Sequence, residues 1–159
     1  MTTDVLTPEQ RHLNMTRIRA KDTKPELTVR RVLHASGLRY RLQVRDLPGK
    51  PDLVFPRFRA VLFVHGCFWH MHGCPLFKWP KSREEFWKTK LGRNAGRDAE
   101  VQTRLLEANW RVLTVWECAL KGKGRISEAE LASRVRALLE GGEQTGTIAG
   151  IYASNSRGC

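Results

Sequence analysis

The sequence predicts a single α/β domain with a mixed central sheet flanked by helices. Three observations lead there. Capping signals recur ahead of stretches with helical character; short apolar runs, above all Ala60 to Val64, read as strands; and a helix lies between the third and fourth of those runs. That helix permits the fourth strand to return parallel to the third. At 159 residues the chain is long enough to bury a core of its own.

Taken in order, Thr7-Pro8-Glu9 places an N-cap before a proline at the first helical position, opening a short helix to about Ala20. Thr23 and Glu26 have capping-box spacing, and the helix they open closes at Gly37. Three strand-like runs follow. They are "LRYRLQV", "PDLVF" and "FRAVLFVHG", the first two separated by the turn-forming "LPGKP". A three-strand meander is the simplest arrangement for them. Ser82 and Glu85 form a second capping box ahead of a basic helical stretch that Gly92 and Gly96 are expected to break, before a further segment ending near Ala108. "WRVLTVWE" reads as a buried strand, and Ser127 with Glu130 caps a final helix reaching Leu139. The domain is thus expected over residues 1–140. The small, polar, aperiodic stretch 141–159 reads as a flexible C-terminal tail.

Charge narrows the partners. Lys and Arg number 28 against 16 Asp and Glu, a formal net charge of +12 with a pI near 10.2, and the excess runs through the whole chain. Such a surface suits phosphates, whose contacts drive binding by counterion release, so nucleic acid is the favoured partner. No apolar run approaches a membrane span, and the N-terminus has no apolar signal core, so a cytoplasmic protein without a membrane is expected. In that setting the four cysteines favour metal binding or free thiols over disulfides.

The chemistry-bearing residues cluster around "VLFVHGCFWHMHGC", residues 61 to 74. Asp52 opens one strand, and Phe63-Val64-His65 lies near the end of the next. Nucleases often place an acid on one strand and an acid-x-lysine triplet on its neighbour, holding magnesium against a phosphate while a base activates water. Here the triplet has neither acid nor lysine. Cys67, His72 and Cys74 could turn toward one ion, with Cys118 as fourth ligand, the donor set of a structural zinc site. Buried thiols alone would account for the cysteines, but a histidine between two of them favours zinc; His70 could replace His72, and spacing does not choose. His65 and whichever histidine zinc leaves free can exchange protons near neutral pH. Phe68-Trp69 either packs inward over the zinc site or forms an apolar wedge into a base stack, with Met15, Trp79 and Trp87 as neighbours on that surface. Basic residues from Lys78 to Arg97 are interleaved with these aromatics, as contact with both phosphates and bases requires.

"PGKPDLVF", "VLFVHGCFWHMHGC", "REEFWKTKLGRNAGRD" and "LEANWRVLTVWECAL" resemble, in collinear order over roughly residues 8 to 140, the Vsr family of very short patch repair DNA mismatch endonucleases. The resemblance implies a restriction-endonuclease-like core in which F-x-H replaces acid-x-lysine. It implies Mg²⁺-dependent nicking of double-stranded DNA on the 5′ side of the thymine in T:G mismatches that arise from 5-methylcytosine deamination. Carried over by position, magnesium would be held by Asp52 and the carbonyl of Val64, where the family often has threonine and valine serves equally. His70 would be the general base or water-positioning group, supported by His65 and Glu26. Cys67, His72, Cys74 and Cys118 match the structural Zn²⁺ ligands. Met15, Phe68 and Trp69 match the intercalating wedge, and Trp87, Lys90 and Asn94 fall in the segment contacting DNA near the mismatch. A monomeric enzyme is expected. The competing expectations are a restriction-type endonuclease without mismatch preference and a non-catalytic, zinc-stabilised DNA-binding module.

Overall fold

The computed structural model describes residues 23–42 and 44–152, so the expected helix before residue 20, and Met15 with it, lies outside the described residues. Helix α1, Lys24–Ala35, begins where its capping box places it: the Thr23 side chain accepts a hydrogen bond from the Glu26 amide, and Pro25 occupies the first turn. Its inward face is Glu26, Val29, Val32 and Leu33, a 3.6-residue stripe. Gly37, at φ 86°, makes the left-handed exit.

Strand β1, Leu53–Phe55, turns through a 3-10 segment at Pro56–Phe58 into β2, Ala60–His65, with Leu53 opposite Leu62 in antiparallel register. Helix α2, Glu84–Glu107, crosses over to β3, Arg111–Trp116, which pairs parallel with β2 from Ala60–Arg111 to His65–Trp116. A short 3-10 turn at Glu117–Ala119 and helix α3, Glu128–Glu140, lead to β4, Thr145–Ile148, parallel to β3. Ser127 caps α3 by accepting the Glu130 amide at 3.1 Å. The sheet order is β1-β2-β3-β4, an α/β mixed sheet with helices on both faces in the manner of a restriction-endonuclease-like core.

Two-sided burial explains the unbroken apolar run in β2. Leu62 and Val64, with Leu113 and Val115 of β3, meet α1 and α3 in one core, while Val61, Phe63 and Val112 meet Leu105 of α2 in a second. Removing a fully buried side chain such as Leu105 by truncation to alanine costs about 2–5 kcal/mol. No helix among the described residues is long and apolar enough to cross a membrane.

Four local expectations are corrected. Among its described residues the "LRYRLQV" run makes only an isolated bridge from Arg41 to Val54; Tyr40 is tied to α1 through its hydroxyl and packs edge-on to Phe55, which leaves little strand to pair. Gly92 and Gly96 do not break α2. Each costs about 1 kcal/mol against alanine, but Leu91 and Leu105 are fully buried on either side of them and hold one continuous helix. Ser82 does not cap that helix: Arg83 enters it at φ 56°, with its guanidinium over the Phe86 ring. Finally, the stretch from 141 is not all tail. Thr145–Ile148 pairs with the open edge of β3, and Gly146 lets the Leu138 side chain pack closely against it, since a Cβ would meet the end of that side chain at 2.6 Å.

Candidate active site and metal centre

The end of β2 is where the chemistry-bearing side chains converge. Asp52, one residue before β1, reaches across the hairpin so that its Oδ2 accepts the Val64 amide at 2.7 Å. Glu26, buried on α1 at 3% exposure, lies against the same carboxylate and also pairs with Arg30 at 3.3 Å. Burial is the main force on Asp52. It raises the carboxyl from 3.8 to about 7, with the Val64 amide opposing and the Glu26 charge adding to the rise. Two oxygen donors crowded out of water in this way suit a hard divalent cation, whose charge relieves both. Asp52 and the Val64 main chain therefore suit the magnesium ligands that the family resemblance implies, with Glu26 beside them as the supporting acid.

The next residue, His65, leads to a second group. Its ring stacks on His70 with centroids 3.8 Å apart and 5° between planes, and His70 Nδ1 lies 2.5 Å from Asp98 Oδ2 on α2. In a neutral ring, donation from Nδ1 to the Asp98 carboxylate would leave Nε2 as the acceptor. Burial, and then the neighbouring His70, push His65 down to about 4, which keeps its ring neutral at physiological pH. The donor atoms of His65, His70 and Asp98 lie within 4.8 Å of one another. Asp98 is the site residue that sequence reasoning missed. No local pattern marked it out: it is one of five acids along α2 and lies 28 residues beyond His70.

The third group is the candidate metal centre. The sulfurs of Cys67, Cys74 and Cys118 and a ring nitrogen of His72 all lie within 4.8 Å of one another. His72 presents Nδ1, at 3.5 Å from Cys67 Sγ and 3.6 Å from Cys118 Sγ, while its ring stacks on Trp116 at 4.0 Å. His70, in contrast, points to Asp98, so geometry assigns the two histidines to different groups. Cys118 is held low, to about 5, chiefly as acceptor of a hydrogen bond from Cys67, and the Gly150 amide also donates to its sulfur at 3.2 Å. Cys67 is raised as that donor. Three sulfurs and an imidazole nitrogen converging this closely are a donor set that fits a tetrahedral, thiophilic metal. Ala149 and Tyr152, just beyond β4, pack against the same cysteines.

Phe68 and Trp69 do not stand free. Both are half-buried in a cluster with Trp87 of α2, at 5.4 and 5.9 Å between centroids, and Phe68 also stacks on Phe77 at 5.9 Å. Asn94 donates its side-chain amide to the Trp69 carbonyl at 3.2 Å, which binds the loop to α2. Lys90 lies on the exposed face of α2, beside a groove shared with Phe86, Arg93 and Arg97. The structure thus unites Asp52 with Glu26 and Val64, His65 with His70, the four metal-centre residues with one another, and Phe68 and Trp69 with Trp87. It leaves Lys90 outside these groups.

Comparison with known proteins adds a consistent result. The family described as DNA mismatch endonuclease Vsr matches residues 3–76. Among curated proteins, the chain is 47% identical over 138 residues to the type II nicking enzyme V.XorIIP of Xanthomonas oryzae pv. oryzae, covering 87% of this chain and 98% of the relative. It is 46% identical over 132 residues to the DNA mismatch endonuclease Vsr of Escherichia coli strain K12, covering 83% and 85% respectively. It is 42% identical over 121 residues to the type II nicking enzyme V.NmeAIP of Neisseria meningitidis, covering 76% and 86%.

Proposed function

The chain belongs to the Vsr family of DNA mismatch endonucleases, and on that premise we propose that it is a strand-nicking DNA endonuclease of mismatch repair. Its substrate is double-stranded DNA with a T:G mismatch left by deamination of 5-methylcytosine, and it cuts 5′ of the thymine. It acts as a monomer.

The reaction is phosphodiester hydrolysis: water oxygen bonds to phosphorus while the bond to the leaving sugar oxygen breaks. Asp52 and the Val64 carbonyl would hold magnesium, which would supply neutralisation of the phosphate charge. Glu26 adds negative charge beside Asp52 and is itself paired with Arg30 one turn along α1. His70 takes the water proton at Nε2, because Asp98 engages Nδ1. His65 stays neutral and holds the His70 ring by stacking. Cys67, His72, Cys74 and Cys118 hold structural zinc, which ties the loop after β2 to the end of β3. On that loop Phe68 and Trp69 meet the DNA at the mismatch with Met15, while Trp87, Lys90 and Asn94 contact it from the flank; since both rings pack on Trp87, entry into the base stack requires them to exchange ring contacts for bases.

The observation that carries this reading is the His70–Asp98 pair, stacked on His65 and one residue along β2 from the Asp52–Val64 hydrogen bond. The deciding measurement incubates the protein and Mg²⁺ with end-labelled T:G and matched T:A duplexes of the same sequence. A single nick 5′ of the mismatched thymine is expected, and Asp52→Ala should abolish it while retaining binding. Equal cutting of both duplexes would leave a restriction-type nuclease instead. Binding without cutting under any divalent metal would leave a non-catalytic module.

A further inference from the structure

The end of β2, the loop after it and the turn after β3 enclose an open cavity of about 370 Å³ that no residue role above explains. Val64 lies on one side of it and Phe68 with Trp69 on another, so it sits between the Asp52 corner and the aromatic loop. Its charged members are Glu117 and Lys121. Glu117 is fixed: Oε1 accepts the Cys67 amide at 3.2 Å, and Oε2 pairs with Lys121 Nζ at 3.0 Å. Lys121 is one turn further on, with its amide bonded to the Glu117 carbonyl, and its side chain is 63% exposed against 21% for Glu117. An exposed pair of this kind contributes only about 0–1 kcal/mol to the fold, so stability does not explain the lysine's position.

Chemistry does explain it. The β2 triplet Phe63-Val64-His65 carries no lysine, and Lys121 is the only cation among the described residues that line this cavity. The cavity is near the lower end of the size range of ligand sites, suited to one nucleotide rather than a base pair. We propose that this cavity is a subsite for the backbone of the nicked strand, in which Lys121 exchanges the Glu117 carboxylate for a DNA phosphate next to the cleaved one. Glu117 holds the ammonium at the cavity mouth until DNA arrives, and at the same time anchors the aromatic loop through Cys67. The inference rests on the endonuclease reading and adds a substrate contact to it.

The test measures binding of a T:G duplex without Mg²⁺ across a salt series, single-turnover nicking with Mg²⁺, and thermal melting, for the wild type, Lys121→Ala, Lys121→Arg and Glu117→Gln. Lys121→Ala should bind several-fold more weakly, with the slope of log affinity against log salt reduced by about one ion, at unchanged melting temperature. Lys121→Arg should restore binding. Glu117→Gln keeps an acceptor for the Cys67 amide but frees the lysine, so it should bind more tightly. Substrates with one neutral methylphosphonate, scanned across the phosphates flanking the cut, locate the contact: at one position the wild type should lose affinity and Lys121→Ala should not. Unchanged affinity and slope in Lys121→Ala, weaker binding in Glu117→Gln, or additive losses at every methylphosphonate position would overturn the proposal. A wild type that neither binds nor nicks the duplex would instead remove the endonuclease reading beneath it.

Discussion

At the scale of single residues, the site depends on placing two acids for opposite purposes. Asp98 stays beside a histidine, where a charge is useful; replacing it with asparagine allows the side chain to accept or donate, so the His70 tautomer is no longer held. Asp98→Asn should lower the single-turnover nicking rate by about 10²–10⁴-fold, the range of a positioned general base, with DNA affinity nearly unchanged. An equal fall in both would mean Asp98 serves binding instead. Asp52 is crowded with Glu26 in a half-buried corner, and its pKa in the fold lies above the ordinary 3.8, at about 7. The fold therefore favours its protonated form: stability from this group is complete below about pH 4 and is lost as pH rises through 7. Asp52→Asn keeps an acceptor for the Val64 amide and offers Glu26 a donor. In chelator at pH 8 it should melt higher than the wild type, an advantage that vanishes at pH 4, while nicking is lost. A lower melting temperature at pH 8 would contradict the charge-crowding account.

At the scale of elements, the candidate metal centre joins three pieces of chain: the loop after β2, the turn after β3, and the segment after β4. The last contributes the Gly150 amide to Cys118 Sγ, and Gly150 has no room for a side chain, since a Cβ would lie 2.5 Å from the Cys118 carbonyl oxygen. Outer hydrogen bonds of this kind hold a ligand's orientation and its affinity for metal. Gly150→Ala, and removal of residues 145–159, should each speed the loss of bound metal to a competing chelator, about 10-fold or more, with melting lowered most in the truncated chain. Release at the wild-type rate in both would show that β4 merely borders the centre.

For the whole molecule, the net charge of +12 matters more than any single contact. Duplex affinity should fall steeply with salt, roughly as the 0.9 power of salt per phosphate neutralised, while the preference for a T:G duplex over a matched one changes far less. A preference that collapses along with affinity would place specificity in the charge. Charge, the helix caps at Thr23 and Ser127, the apolar run of β2 and the clustering of cysteines and histidines after it were legible in the sequence, because each is a local pattern of residue types. The unbroken α2 was not, because buried anchors at Leu91 and Leu105 outweigh the local cost of two glycines. Strand β4 escaped notice because main-chain pairing along an open edge is nearly blind to side chains. The division of labour between His70 and His72, three and two residues from the nearest of the clustered cysteines, was likewise undecided by spacing. By itself the sequence determined which chemical groups this protein owns and which strand delivers them. Tertiary structure alone decided which groups meet, turning His70 to Asp98, Asp52 to Glu26 and Gly150 to Cys118, because contacts between distant segments depend on packing that no local pattern encodes.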